Sequence, residues 1–163
     1  MTTRIATNVF LMYEDKVLLL KRGLHKKIAP GFWAGVGGHV ELSDFEDPRA
    51  LDLSETCYRE LVEETGIDKA EIQNLKLRYV SVRKAETEIR YIYHYFGEVA
   101  TEFELPKCNE GELYWVDRAR VFELPMTVSV STPLAHWLEN SEDSEIYLIA
   151  VDKENASATI LEI

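Results

Sequence analysis

Cysteine is scarce in this chain: Cys57 and Cys108 are the two in 163 residues, with no CxxC or other metal-ligand spacing. That excludes a disulfide framework and a thiolate metal site. Cys57 is expected in the core and Cys108 in a loop. Long apolar runs are missing too, so no membrane span is predicted. The start, Met1-Thr2-Thr3-Arg4-Ile5, lacks the apolar core of a secretory signal. A reducing cytoplasm is the expected compartment. Positive charge is in deficit, 18 Lys and Arg against 29 Asp and Glu, for a net charge of −11. A nucleic-acid polymer needs a basic surface and is therefore not an expected partner. One small phosphorylated ligand, its charge offset by bound cations, is still allowed. Repeats, low-complexity tracts and linkers are also absent, and 46% of the residues are apolar. One domain over residues 1–163, with a substantial core, is predicted.

What is present concentrates at Arg59-Glu-Leu-Val-Glu-Glu-Thr-Gly66. Glu60, Glu63 and Glu64 stand at i, i+3 and i+4, so a helix brings all three to one face. Two carboxylates about 4 Å apart repel by roughly 4 kcal/mol at an effective dielectric of about 20. A solvated acidic face is the plain reading of that spacing. Their position argues otherwise. Gly66 is a C-cap signal, so the acids lie at the negative end of the helix dipole, where anions are disfavoured. A hard cation such as Mg²⁺, Mn²⁺ or Ca²⁺ explains the cluster better. Arg59 can reach Glu63 at i+4 and fix its rotamer.

Upstream, Gly31-Phe-Trp-Ala-Gly-Val-Gly-Gly-His-Val-Glu41 is a glycine-rich turn able to bring backbone carbonyls to a metal or amides to a phosphate. With the acidic helix following it, the sequence resembles the Nudix hydrolase family. Its signature is Gly, five residues, Glu, seven residues, then Arg-Glu-aliphatic-x-Glu-Glu-x-Gly-aliphatic. Gly38 matches the opening glycine and Arg59 to Ile67 match the second half throughout. The middle departs. The family step from Gly to Arg is fourteen positions, whereas here it is 59 − 38 = 21, so a box at about 38–67 carries about seven extra residues. The internal Glu is therefore ambiguous. Asp44 has its offset from Gly38, the position counted back from Arg59 is Leu51, and Glu41, Glu46 and Asp47 are further acids nearby. The insertion is expected within Leu42 to Leu53, as an enlarged loop or helix start.

The resemblance implies an α/β fold, the α/β/α sandwich with a central mixed sheet and the box on the sheet's edge. It implies a metal-dependent pyrophosphohydrolase: water attacks phosphorus in a nucleoside triphosphate or a nucleoside diphosphate linked to another group. Mg²⁺, with Mn²⁺ as a substitute, would be held by Glu60, Glu63, Glu64 and the Gly38 carbonyl, and Arg59 would orient the cluster. Glu110 and Glu112 are candidates for a general base. Trp33 precedes the glycine turn as aromatics do in relatives acting on nucleoside triphosphates, including oxidised guanine nucleotides. Those relatives commonly have Asn next, and here Ala34 stands there, so shallow selectivity among bases is expected. Tyr93, Tyr95 and Trp115 could stack a base and Arg22 could meet phosphate, the ordinary alternative being core and solvated surface. Two other readings stay open: a prenyl-diphosphate isomerase of the same fold, for which no motif is found, and a non-catalytic nucleotide sensor.

Patterning predicts a hairpin from Ile5–Met12 and Val17–Lys21, then a polar loop over Arg22–Pro30. Asp47-Pro48 reads as a cap, for a helix from Pro48 to Thr65 or one restarting at Ser54. Cys57, Tyr58, Leu61, Val62 and Thr65 are expected to be its buried stripe, opposite the glutamates. Strands follow at Leu77–Lys84, Glu88–Val99 and Leu113–Val116, then a short helix at Arg118–Leu124 and a helix beginning at Thr132-Pro133. In the Glu88 strand both faces carry bulk, which fits a sheet buried on both sides or one walling a pocket. A terminal hairpin, about 145–163, either extends a sheet or mediates a homodimer.

Overall fold

A computed structural model describes residues 1–47 and 52–162. The leading apolar run becomes strand β1 (Thr2–Tyr13), which turns into β2 (Lys16–Arg22) through Glu14 in a left-handed conformation (φ 49°). Short β3 (Trp33–Ala34) pairs with β2. Helix α1 (Ser54–Thr65) follows, then β4 (Gln73–Lys84), β5 (Glu88–Glu98) and β6 (Gly111–Asp117). A 3₁₀ turn (Arg118–Glu123), helix α2 (Val128–Glu139) and a hairpin of β7 (Tyr147–Val151) and β8 (Ala158–Glu162) complete the chain.

The sheet is mixed, in the order β3-β2-β1-β5-β4-β7-β8, with β6 paired to β2. β1 runs parallel to β5, and β4 parallel to β7; β4–β5 and β7–β8 are antiparallel. The glycine turn completes the other edge of β1. Thr7 N–H donates to the Gly38 carbonyl at 2.9 Å, and Val9 and Val36 exchange both backbone bonds. Closeness of this kind requires glycine: a Cβ on Gly37 would lie 1.9 Å from the Thr7 carbonyl oxygen.

Strand alternation sends bulk to both faces, as expected, and each face has its own core. Cys57 and Leu61 of α1 join Val9, Leu11, Leu18 and Tyr95 on one side. Val130, Leu134 and Trp137 of α2 join Phe10, Tyr79, Phe96 and Ile149 on the other. Each such side chain stabilises the fold by about 1.5–3 kcal/mol on burial. Among the described residues, no helix is long and apolar enough to cross a membrane.

Several local expectations are corrected. Helix α1 lies over a sheet face rather than at an edge. It begins at Ser54; the proposed start at Pro48 lies outside the described residues. Its buried positions are Thr56, Cys57, Glu60, Leu61, Glu64 and Thr65, while Val62 is exposed. The helix is thus rotated from the expected stripe, and two glutamates face inward. Helix α2 starts at Val128, one turn before Thr132, and contains Pro133. Proline has no N–H for the Ser129 carbonyl four residues back. Ser81 Oγ donates to that carbonyl instead, at 3.0 Å, so the helix continues through the proline.

Candidate active site

Helix α1 ends where the sequence marks an end: Gly66 is left-handed (φ 74°) and its N–H donates to the Val62 carbonyl at 3.0 Å. Two turns earlier, Arg59 gathers the site. Its Nη1 donates to Glu60 Oε1 at 2.9 Å and to Glu63 Oε2 at 3.2 Å, and its Nη2 donates to the His39 carbonyl at 3.0 Å. The helix is therefore tied to the glycine turn through one guanidinium.

Asp44 holds the other side of that guanidinium. Its carboxylate accepts from Arg59 Nε and Nη2, from Thr56 Oγ1 at 2.7 Å and from the Glu41 N–H at 3.0 Å. Its side chain is fully covered. Burial opposes its charge, yet Arg59, Thr56 and the Glu41 amide outweigh burial and keep the acid below its ordinary range. Of the acids upstream of α1 among the described residues, Asp44 is the one that pairs with Arg59. The same bonding raises the Arg59 pKa.

Glu60 and Glu64 are 9% and 7% exposed. Burial raises the pKa of Glu60 against the nearby charge of Arg59. Glu64 is pushed up to about 8, first by burial and then by the charges of Glu60 and Glu110, with Arg22 opposing. Its Oε2 is buried without a hydrogen-bond partner. Glu63 is more open, its side chain 57% exposed. Among the described residues, no three acidic, histidine or cysteine side chains already stand in a ligating arrangement. The donor chemistry nevertheless fits a hard cation: oxygen ligands, an unpartnered carboxylate oxygen, and like charges held together. The Gly38 carbonyl accepts from Thr7 and keeps a second lone pair.

Of these residues, Gly38 and Glu64 line a cleft of about 480 Å³ on the α2 side of the sheet, and Glu60 and Glu63 do not. Glu64, Glu110, Gly38, Arg22 and Trp33 line it. Arg22 Nε donates to the Ile28 carbonyl at 2.8 Å, and Glu110 pairs with Lys26 Nζ at 2.5 Å. Other candidates lie elsewhere. Tyr93 and Tyr95 point to the opposite face and pack in the α1 core. Trp115 packs there too, its Nε1 donating to the Phe103 carbonyl at 2.9 Å. Glu112 is outside the cleft and accepts from the Tyr114 hydroxyl. None of these four reaches the cleft because strand parity and β6's place beside β2 direct them away.

The cleft floor contains residues the sequence did not single out. Asn8 Nδ2 donates to His94 Nδ1 at 3.1 Å, which leaves Nε2 to donate to Ser81 Oγ at 2.8 Å. Burial holds the His94 pKa down, at about 3, so the ring is neutral. No spacing signal announces this chain of bonds, because its members come from three separate strands.

A family model described as NUDIX domain matches residues 2–138. Among solved structures, the MutT protein from Bacillus halodurans superposes with a TM-score of 0.69 at 21% identity, over 96% of this chain and 97% of that one. An Ap4A hydrolase from C. elegans gives 0.64 at 13% identity, covering 87% and 98%. The NUDIX domain of Shewanella oneidensis NrtR, solved with ADP ribose, gives 0.61 at 18% identity, covering 86% and 88%. At these identities the likeness is one of fold.

Proposed function

The chain belongs to the Nudix hydrolase family, and from that membership we propose that it cleaves the diphosphate linkage of a nucleoside triphosphate or a nucleoside diphosphate derivative. The observation that carries this reading is Glu64: buried, unpartnered at Oε2, and facing a cleft that also holds Trp33 and the glycine turn. ADP ribose and Ap4A, the compounds named for two of the similar structures, each contain a nucleoside joined through a phosphate chain to a second group.

Glu60, Glu63, Glu64 and the Gly38 carbonyl would hold Mg²⁺ or Mn²⁺. When bound, such an ion screens the diphosphate charge and lowers the pKa of water. Arg59 fixes the carboxylates from behind, with Asp44 fixing Arg59. Trp33 offers an aromatic wall for the base, and Arg22 a cation for phosphate oxygens. Glu110 takes the proton from the attacking water as its oxygen bonds to phosphorus and the bridging P–O bond breaks. Glu110 is preferred over Glu112 because it lines the cleft and its charge bears on Glu64.

Phosphate and pyrophosphate release from a panel of nucleoside triphosphates, ADP ribose and dinucleoside polyphosphates, with Mg²⁺ and with chelator, tests this reading. Metal-dependent release from at least one compound is expected. Binding without release across the panel would overturn it in favour of a sensor.

A further inference from the structure

The family match ends at residue 138, yet the cleft does not. Glu154 and Asn155, from the turn between β7 and β8, line it together with Arg83 and Arg90. The turn is held from two sides. Arg83 donates to the Lys153 carbonyl through Nε at 3.1 Å and Nη2 at 2.8 Å, and Lys153 Nζ pairs with Glu86 at 2.7 Å. Inside the turn, the Asp152 carboxylate accepts from the Ala156 N–H at 2.7 Å and Ser157 Oγ at 2.6 Å. Asn155 is left-handed (φ 58°), a conformation asparagine tolerates. The turn is thus fixed before any ligand arrives.

Two polar atoms here are buried without partners: Asn155 Oδ1 and Arg90 Nε. Arg90 spends Nη2 on Glu88, at 2.7 Å, and Glu88 also takes Arg4 Nε at 2.7 Å. Leaving a buried donor and a buried acceptor unpaired is costly. Their residues, Arg90 and Asn155, line the cleft, and the turn stands apart from the carboxylates. The glycine turn runs along β1, whereas the hairpin lies beyond β5 and β4, three strand spacings or on the order of 14 Å from β1. A diphosphate at the glutamates therefore leaves the rest of its molecule to extend toward Arg90 and Asn155.

We propose that the β7–β8 turn is the base-reading element of this enzyme: Arg90 Nε donates to a base carbonyl and Asn155 Oδ1 accepts from the adjacent ring N–H. That pairing accepts guanine, hypoxanthine, uracil or thymine and rejects adenine and cytosine, which place an amino group where the carbonyl is needed. Trp33 alone, followed by Ala34, stacks any base; the hairpin supplies the edge recognition that Ala34 does not. A site built on such bonds discriminates strongly, because the wrong base leaves its groups unpaired. The inference rests on the nucleotide reading above, and its test separates the two.

The probes are inosine and adenosine triphosphates, which differ only at the C6 substituent and the N1 proton, and ribose 5-triphosphate, which has no base. With Mg²⁺, wild type is expected to favour inosine over adenosine by about tenfold or more in kcat/KM, one hydrogen bond or more of discrimination. Asn155→Gly suits the positive φ and removes the amide; it should bring the ratio to within about twofold of unity. Asn155→Asp keeps the acceptor and should retain the preference. Cleavage of ribose triphosphate should be the same in all three proteins. Equal rates on the two nucleotides in wild type, or an unchanged ratio in Asn155→Gly, would overturn the proposal while leaving the hydrolase reading intact. Calorimetry with the α,β-methylene analogues reads the same ratio as binding. A preference there without hydrolysis would sink the hydrolase reading alone, and equal or absent binding would sink this one.

Discussion

Glu60 occupies the space that a side chain on Gly38 would need. A Cβ there would lie 2.3 Å from Oε1 of the glutamate. The glycine thus sets the position of a carboxylate twenty-two residues later as well as the shape of its own turn. Glu60 is a flexible side chain, so Gly38→Ala should fold and move the carboxylate rather than the backbone. Turnover is expected to fall by at least about tenfold, near 1.4 kcal/mol of barrier, with the melting temperature within a few degrees of wild type. Steady-state rates and calorimetry check this; a normal rate would detach Glu60 from the chemistry.

Glu63→Gln and Glu64→Gln should each lower turnover by at least about a hundredfold at saturating Mg²⁺, near 3 kcal/mol. Their effects on stability differ. Glu64 is a buried carboxylate among like charges, so its neutral substitute should leave the metal-free protein at least as stable as wild type. Glu63 is largely in water, and its removal frees only one Arg59 contact. Near-normal rates in both variants would return the cluster to an ordinary acidic face.

Breaking the Arg59–Asp44 pair leaves the guanidinium to Glu60, Glu63 and the His39 carbonyl. Asp44→Ala is expected to destabilise the fold by about 2 kcal/mol, the scale for hydrogen bonds lost to a charged group. Urea unfolding measures it. A cost indistinguishable from zero would mean that Arg59 is anchored by something else.

The acidic segment is legible in the sequence because its spacing is local: Arg59 to Gly66 lie on two helical turns, and helix geometry alone brings them together. Asp44 was one acid among several because its bond to Arg59 closes across the inserted loop, and spacing carries no information about such a closure. Alternation in β5 showed that both faces are filled. It does not say which face opens onto the cleft, so the pattern alone groups Tyr93 and Tyr95 with Trp33. The rotation of α1 is hidden for a related reason: hydrophobicity assigns Glu60 and Glu64 to solvent, whereas the fold buries both. Pro133 reads as a helix start until Ser81, on a distant strand, is seen to bond the Ser129 carbonyl.

That face assignment has a kinetic consequence. Trp33→Ala removes an aromatic wall of the cleft and should raise KM for nucleotides about tenfold, as expected for a lost stacking platform, with kcat changed less than threefold. Tyr95→Ala should leave KM unchanged and lower stability by about 3 kcal/mol, the cost of emptying a core aromatic site. Binding and unfolding measurements on the two variants check both. The opposite pattern would place the base on the α1 face.

His94 gives a pH dependence whose sign follows from its burial. The folded pKa is held at about 3, below the ordinary 6.5, by removal from water. Asn8, Ser81 and the ring of Phe10 face it, and none supplies a negative charge to favour the imidazolium. Between those two values the unfolded chain takes up a proton that the folded protein refuses. Stability therefore falls as pH drops below about 6.5, by up to about 1.4 kcal/mol per pH unit, and is flat in this respect above it. Carboxylates also titrate in acid, so the comparison must be with His94→Gln, which keeps hydrogen bonding but does not titrate. The variant can be less stable than wild type at pH 7 through altered packing. Its deficit should shrink by roughly 2 kcal/mol between pH 6.5 and pH 5, measured by urea unfolding at each pH. A deficit that stays constant over that window would mean that His94 is protonated in the folded protein, and the assigned pattern of Asn8 donating to Nδ1 would be wrong.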